Sequence, residues 1–220
     1  MNLPPPAAAP APLTRRFIAF LGPLVLTNVL QALSGTFNSV FLGQMLGPHA
    51  LAAAIAFFPV FMTLFAFVIG LGTGASILVG QAWGARQTEK VRDIAGTVLL
   101  GGAALGTAIA VAGWWVAGPL LRGLGTPAEV LPDAIAYAHV MLLAMPVLFL
   151  SMLAAALLRG MGDTVTPLGV LIVTCVVSAV LTPLIISGRL GLPPQGTASA
   201  AWGTLVATTV ALLWLGWRLS

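Results

Sequence analysis

Apolar residues run along this chain in long blocks, and polar residues collect mainly between them. Six blocks stand out, at about 17–42, 50–80, 93–121, 131–157, 166–188 and 198–217. A bilayer core of about 30 Å is crossed by about 20 apolar residues wound as helix. The pattern therefore predicts an all-α polytopic membrane protein, a bundle of six transmembrane helices over residues 15–220. Residues 1–14, "MNLPPPAAAPAPLT", form a Pro/Ala tail that is expected to be disordered and cytoplasmic. Breakers separate the blocks: "LGP" at 46–48 and "WGAR" at 83–86. "TPAE" at 126–129 has the form of a capping box, with Thr126 as cap and Glu129 reaching back. "TP" at 166–167 repeats the device of a cap followed by proline.

The first block breaks its own pattern. Within "VLTNVLQALSGTFNSVFLGQ" (25–44), Asn28, Gln31, Ser34 and Asn38 follow helical spacing and share one side of a helix. Hydrocarbon offers amides no hydrogen-bond partner, so this stripe is expected to face protein or water. Pro23 and Gly35 weaken the same helix, as a span bending around a cavity would need. Two readings stand for the stripe. Its amides either hold neighbouring helices together or line a wet cavity. The fifth block carries Thr174, Ser178 and Thr182 four residues apart, with Pro183 next, and the sixth carries Thr204 and Thr208. These hydroxyls can bond carbonyls one turn back in their own helices and need no cavity.

Composition agrees with a membrane solvent. The chain of 220 residues is 59% hydrophobic and 6% charged, with mean hydropathy +1.06. A soluble domain carries about 25% charged residues. The net charge of +4 is spread between apolar blocks with no run longer than Arg15-Arg16, so no nucleic acid is expected as partner. Even spans put both ends on one side. Placed inside, that face carries Arg15, Arg16, Arg86, Lys90, Arg92, Arg159 and Arg218, and the other only Arg122 and Arg189. The bias predicts N-in and C-in across an inner (plasma) membrane of bacterial type. A signal peptide over 15–35 fits less well, because the segment is too polar for an h-region.

Enzyme chemistry finds little footing. "GMGD" (160–163) matches the Gly-x-Gly-Asp pattern of intramembrane aspartyl proteases, but Asp93 and Asp133 sit at block ends and cannot share its proton. His139 has neither a nearby nucleophile nor metal-ligand spacing. It is read as a satisfied polar residue or, alternatively, as a proton-binding group. His49 is expected to be solvated. Cys175 is the one cysteine, so neither a disulfide framework nor a thiol-rich metal site forms within one copy. "GLGTGA" (70–75) lies inside a span and is discounted as a phosphate loop. Gly102-x-x-x-Gly106 and Gly80-x-x-x-Gly84 allow close approach of helices.

Several stretches together resemble the multidrug and toxic compound extrusion (MATE) transporters. They are "GTFNSVFLGQMLGPHALAAAIAFFPV" (35–60), "GLGTGASILVGQAWGARQTEKVRDIAG" (70–96), "LLRGMGDTVTPLGVLIVTCVVSAVLTPLII" (157–186) and "ASAAWGT" (198–204). The resemblance recasts "GMGD" as an inner-loop turn. It implies one six-helix lobe, the N-terminal one, of a twelve-span exporter whose central cavity alternates between membrane faces. Such exporters exchange cationic or amphipathic compounds for Na⁺ or H⁺.

Carried over by position, the resemblance places a helix-bending proline on Pro23, a polar Gln on Gln31 and a sixth-span Thr on Thr204, after an insertion around "LPPQ" (192–195). The family's acidic first-span position falls on Asn38, and its Asn/Asp pair in span five falls on Ser178 and Thr182. Asn, Ser and Thr do not titrate, so the usual carboxylate coupling is missing from this lobe. Coupling would fall to another group, such as His139 or an acid in a second six-helix lobe, supplied by a homodimer or a C-terminal half. The expected lining is Asn28, Gln31, Ser34, Asn38, Ser178, Thr182 and Thr204, with no cofactor and no metal. Two other readings accompany multidrug efflux. One is a truncated lobe without transport. The other is a lipid-linked oligosaccharide flippase, which would want cationic cavity residues.

Overall fold

The structure is a computed structural model that describes residues 13–41, 44, 48–186 and 198–219. Most of the proline-rich tail and "LPPQ" lie outside the described residues, as do the side chains of Asn38 and His49. Among the described residues six helices follow one another: α1 (Leu13–Phe41), α2 (Pro48–Gly84), α3 (Thr88–Gly123), α4 (Leu131–Gly160), α5 (Val165–Ile186) and α6 (Ala198–Leu219). Helix is the form that satisfies every backbone N–H and C=O within one segment, as hydrocarbon requires.

Several helices outrun the apolar blocks that predict them. α2 has 37 residues and α3 has 36. At about 1.5 Å per residue, each is roughly 55 Å long, against about 30 Å of hydrocarbon. α3 begins on "TEKVRD", where Glu89, Lys90 and Arg92 stop an apolar block but favour helix. Among the described residues, α2, α3, α4 and α5 are long and apolar enough to span a membrane. The described apolar run of α1 is shorter, Phe20–Thr36. Within α6, Thr204, Thr208, Thr209 and Arg218 interrupt the apolar run.

Two capping expectations need correction. α4 starts at Leu131 with Val130 at its N-cap and no side-chain cap, so Thr126 does not close a capping box there. The chain instead makes a turn in which the N–H groups of Val130 and Leu131 both donate to the Pro127 carbonyl, at 3.0 Å. At α5 the capping group is Asp163, not Thr166. Its Oδ1 accepts from the N–H groups of Val165 (3.0 Å) and Thr166 (2.9 Å), and its Oδ2 accepts from the Thr166 hydroxyl at 2.6 Å. The preceding turn reverses through Gly162, whose φ of 87° suits glycine.

α4 is the central helix. Half of its most apolar window is buried, against 11–17% for α2, α3 and α5, and it packs on α2, α3 and α6. Ala134, Ala138, Met145, Phe149 and Leu153 form its buried spine. Lipid is as apolar as leucine, so helices gain little by merely hiding apolar area; close contact must hold them. Glycine supplies it. A Cβ on Gly106 would sit 2.7 Å from the Pro146 backbone, so α3 presses against α4 at Pro146. A Cβ on Gly102 would collide with Leu153. On the α2 side, a Cβ on Gly160 would meet the Ser76 carbonyl at 2.5 Å, and one on Gly80 would meet the Gly160 carbonyl at 3.0 Å. Gly84 has nothing within 4 Å, so the second member of its motif makes no contact. These contacts run α3 antiparallel to α4 and α2 parallel to it.

The outside is apolar where lipid would lie. Leu100 (74% exposed), Trp115 (79%) and Leu213 (69%) are largely open among the described residues. Such exposure is unfavourable in water and natural in acyl chains. Trp83 and Trp217 lie near one end of the bundle, and Trp114 and Trp115 toward the other, in the manner of membrane-interface belts.

Candidate functional site

The candidate site is built on α1, which stands apart from the α2–α3–α4 core and packs on α5. At about 100° per residue, its side chains sort into three sectors. Pro23, Thr27, Leu30 and Ser34 fall on one side and are partly buried. Val25 (56% exposed), Val29 (49%), Leu33 (48%) and Val40 (45%) form an exposed apolar fan on another. Between them lie Asn28, Gln31 and Gly35, all exposed, with the backbone position of Asn38 in the same sector. Leu24 shares this side nearer the start of the helix, so the polar character begins at Asn28. The stripe read from the sequence is therefore split. Ser34 belongs to the packed side, while Asn28 and Gln31 are open and turned away from the apolar fan. The Thr27 hydroxyl donates to the Pro23 carbonyl at 2.7 Å, so it adds nothing polar to the open side.

Among the α5 and α6 hydroxyls, those of Thr182 and Thr208 are buried, while Thr174, Ser178 and Thr204 are partly buried. Thr182 is 2% exposed, and a Cβ on Gly203 would meet its Oγ1 at 2.7 Å. It lies in the α5–α6 seam, 3.4 Å from the Ser178 hydroxyl. Thr174 donates to the Val170 carbonyl (2.9 Å) and Thr208 to the Thr204 carbonyl (2.8 Å). Both thus use the same-helix bonds that threonine favours. Thr204 is partly buried on α6.

His139 lies on α4 against α3. Its Nε2 is 3.1 Å from the Trp114 carbonyl, and its ring lies over the Trp114 indole. A carbonyl only accepts, so Nε2 carries the hydrogen. Among the described residues no group of three or more His, Cys, Asp or Glu could hold a metal.

The MatE family model matches residues 23–184. The chain belongs to the MatE family. A probable multidrug resistance protein, YoeA of Bacillus subtilis (strain 168), is 39% identical over 199 residues, which cover 90% of this chain and 43% of that protein. A second from the same organism, YpnP, is 30% identical over 91% of this chain and 44% of its own length. A crystal structure of MATE in the bent conformation superposes with TM-score 0.83 at 28% identity, covering 93% of this chain and 44% of the other. This MatE chain thus spans less than half the length of the curated relatives it matches. The match includes Pro23, Asn28, Gln31, Ser34, Asn38, Ser178 and Thr182, while Thr204 lies beyond it.

The sequence did not disclose Asp163 as a cap. The signal for it was present: Asp163 and Thr166 stand three apart just before an apolar run.

Proposed function

We propose that this chain acts in multidrug export, as the N-terminal lobe of an alternating-access transporter for amphipathic or cationic compounds. One observation carries the reading: on α1 the open amides Asn28 and Gln31 are segregated from the exposed apolar fan. A helix surrounded by lipid would be apolar on every open side. An uncharged polar wall beside apolar ones suits varied amphipathic solutes, since amides both donate and accept. The names of the relatives, multidrug resistance proteins, support the same class.

A second six-helix lobe, from another copy or from a C-terminal half, would close the pathway opposite α1. The exchanged ion would be Na⁺ or H⁺. Neither Asn38 nor Thr182 titrates, so the ion-binding carboxylate would come from that second lobe. What supports His139 as a satisfied polar residue, not a proton carrier, is the bond its Nε2–H already makes. The end of the bundle that carries Arg86, Lys90, Arg92, Arg159 and Arg218 would face the cytoplasm across an inner membrane.

The test is efflux of a cationic dye such as ethidium from cells expressing this chain. The expected result is lower dye retention than with empty vector, lost in Gln31→Ala and kept in Leu33→Ala. Retention equal to empty vector would reject transport by this chain on its own.

A further inference from the structure

A cavity unrelated to the α1 amides opens between α2 and α4, with a volume of about 200 Å³. Arg159 lines it, with Thr73 and Ser76 of α2. Ile69, Ile77 and Met152 complete its apolar wall, and the two isoleucines are about half exposed. The Thr73 hydroxyl donates to the Ile69 carbonyl at 2.8 Å, leaving its oxygen free to accept only. Arg159 has no carboxylate partner and the Ser76 hydroxyl no hydrogen-bond partner among the described residues. The nearest acid in sequence, Asp163, is engaged in capping α5 and faces the charge of Arg218.

A guanidinium against an apolar wall is costly without a counter-charge. Its place says which counter-charge is at hand. Arg159 is one residue from the end of α4, and the turn bearing Arg86, with Lys90 and Arg92 at the start of α3, closes the same end of the bundle. In a bilayer spanned by these helices, that end would lie at headgroup depth. Ile69 and Ile77 lie about 12 Å apart along α2, a stretch that acyl chain would cover. Close contact of Gly160 with Ser76 brings the two backbones together beside the arginine.

We propose that this groove binds the phosphate of one anionic phospholipid. The guanidinium fork takes the phosphate oxygens in pairs. The Ser76 hydroxyl donates to a third oxygen, and an acyl chain lies along Ile69, Ile77 and Met152. The site requires only that the helices stand in a bilayer and is independent of the transport reading.

Native mass spectrometry of the full chain tests it. The chain is offered equal phosphatidylglycerol and phosphatidylcholine in detergent, with inorganic phosphate in a parallel arm. Wild type should retain roughly fivefold more phosphatidylglycerol, the effect of about one cationic contact at a membrane surface. Arg159→Gln should erase that preference, whereas Lys90→Gln, an exposed charge outside the groove, should leave it intact. Ile77→Trp fills the groove without altering charge and should lower lipid retention, which preserves the test if the arginine variant does not fold. Equal retention of both lipids by wild type, or a preference that survives both Arg159→Gln and Ile77→Trp, overturns the proposal. So does displacement of the lipid by equimolar inorganic phosphate, or a lipid-free dimer in which a second polypeptide covers the groove.

Discussion

The imidazole of His139 lies flat on the indole of Trp114, with ring centroids 4.0 Å apart and planes 13° from parallel. The same histidine bonds the Trp114 carbonyl at 3.1 Å. One side chain on α4 thus grips both the ring and the backbone of a single residue on α3. His139→Phe retains the stack and loses the bond, so it should cost about 1 kcal/mol. His139→Ala should cost about 0.5–1.5 kcal/mol more, the worth of an aromatic pair. Reversible unfolding in mixed micelles measures both. Equal stability of Phe and Ala variants would show that the stack contributes nothing.

Neighbouring glycines on α3 should respond in opposite ways. Gly101 faces open space, while a Cβ on Gly106 meets the Pro146 backbone, which cannot swing aside. Gly106→Ala should therefore destabilise by about 1–3 kcal/mol through overpacking. Gly101→Ala should be neutral or stabilising by up to about 1 kcal/mol, from helix propensity. Thermal unfolding of the pair in one detergent decides it. A harmless Gly106→Ala would mean that α3 and α4 stand farther apart.

Asp163 makes part of the stability depend on pH. Partial burial pushes its carboxyl upward. Bonds from the Thr166 hydroxyl and from the Thr166 and Val165 N–H groups, with the Arg218 charge, outweigh this and hold it below the usual carboxylate range. A depressed folded value means the stabilisation is present above the unfolded pKa, about 3.9, and fades as pH falls through the folded one. Asp163→Asn keeps a capping oxygen but loses the charge, and should cost about 0.3–1 kcal/mol at neutral pH, the worth of an anion at a helix N-terminus. The gap to wild type should close as the medium is acidified below pH about 4. Melting curves across pH would refute this if the gap were constant.

The open amide side of α1 can be read by labelling. Cys175 is the single cysteine and is replaced first by alanine. Gln31→Cys should then react with a membrane-impermeant maleimide at least about tenfold faster than Val29→Cys, because thiolate forms in water and is suppressed in lipid. Similar slow rates at both positions would place Gln31 among acyl chains.

Much of the scaffold was written locally. Hydropathy is a property of each residue with its solvent, so apolar blocks specify helices in lipid without knowledge of neighbours. The sequence-level spacing of Asn28 and Gln31 gives their common side for the same reason, since a helix fixes azimuth by residue number. The hydroxyl bonds of Thr174 and Thr208 are likewise local, closing within one turn of their own helices.

What tertiary structure decided depends on which helix meets which. Lipid and protein interior are alike in polarity, so an apolar surface carries no mark of the side that is buried. Only packing distinguishes Gly106, pressed on Pro146, from Gly84, where an added Cβ would meet nothing within 4 Å among the described residues. It alone encloses Thr182 at Gly203, puts Ser34 on the packed side of α1, and makes α4 the axis of the bundle. By itself the sequence determined the solvent, the helices and the polar side of α1. The pairing of helices, a long-range matter of shape, determined which of those residues are enclosed and which stay open.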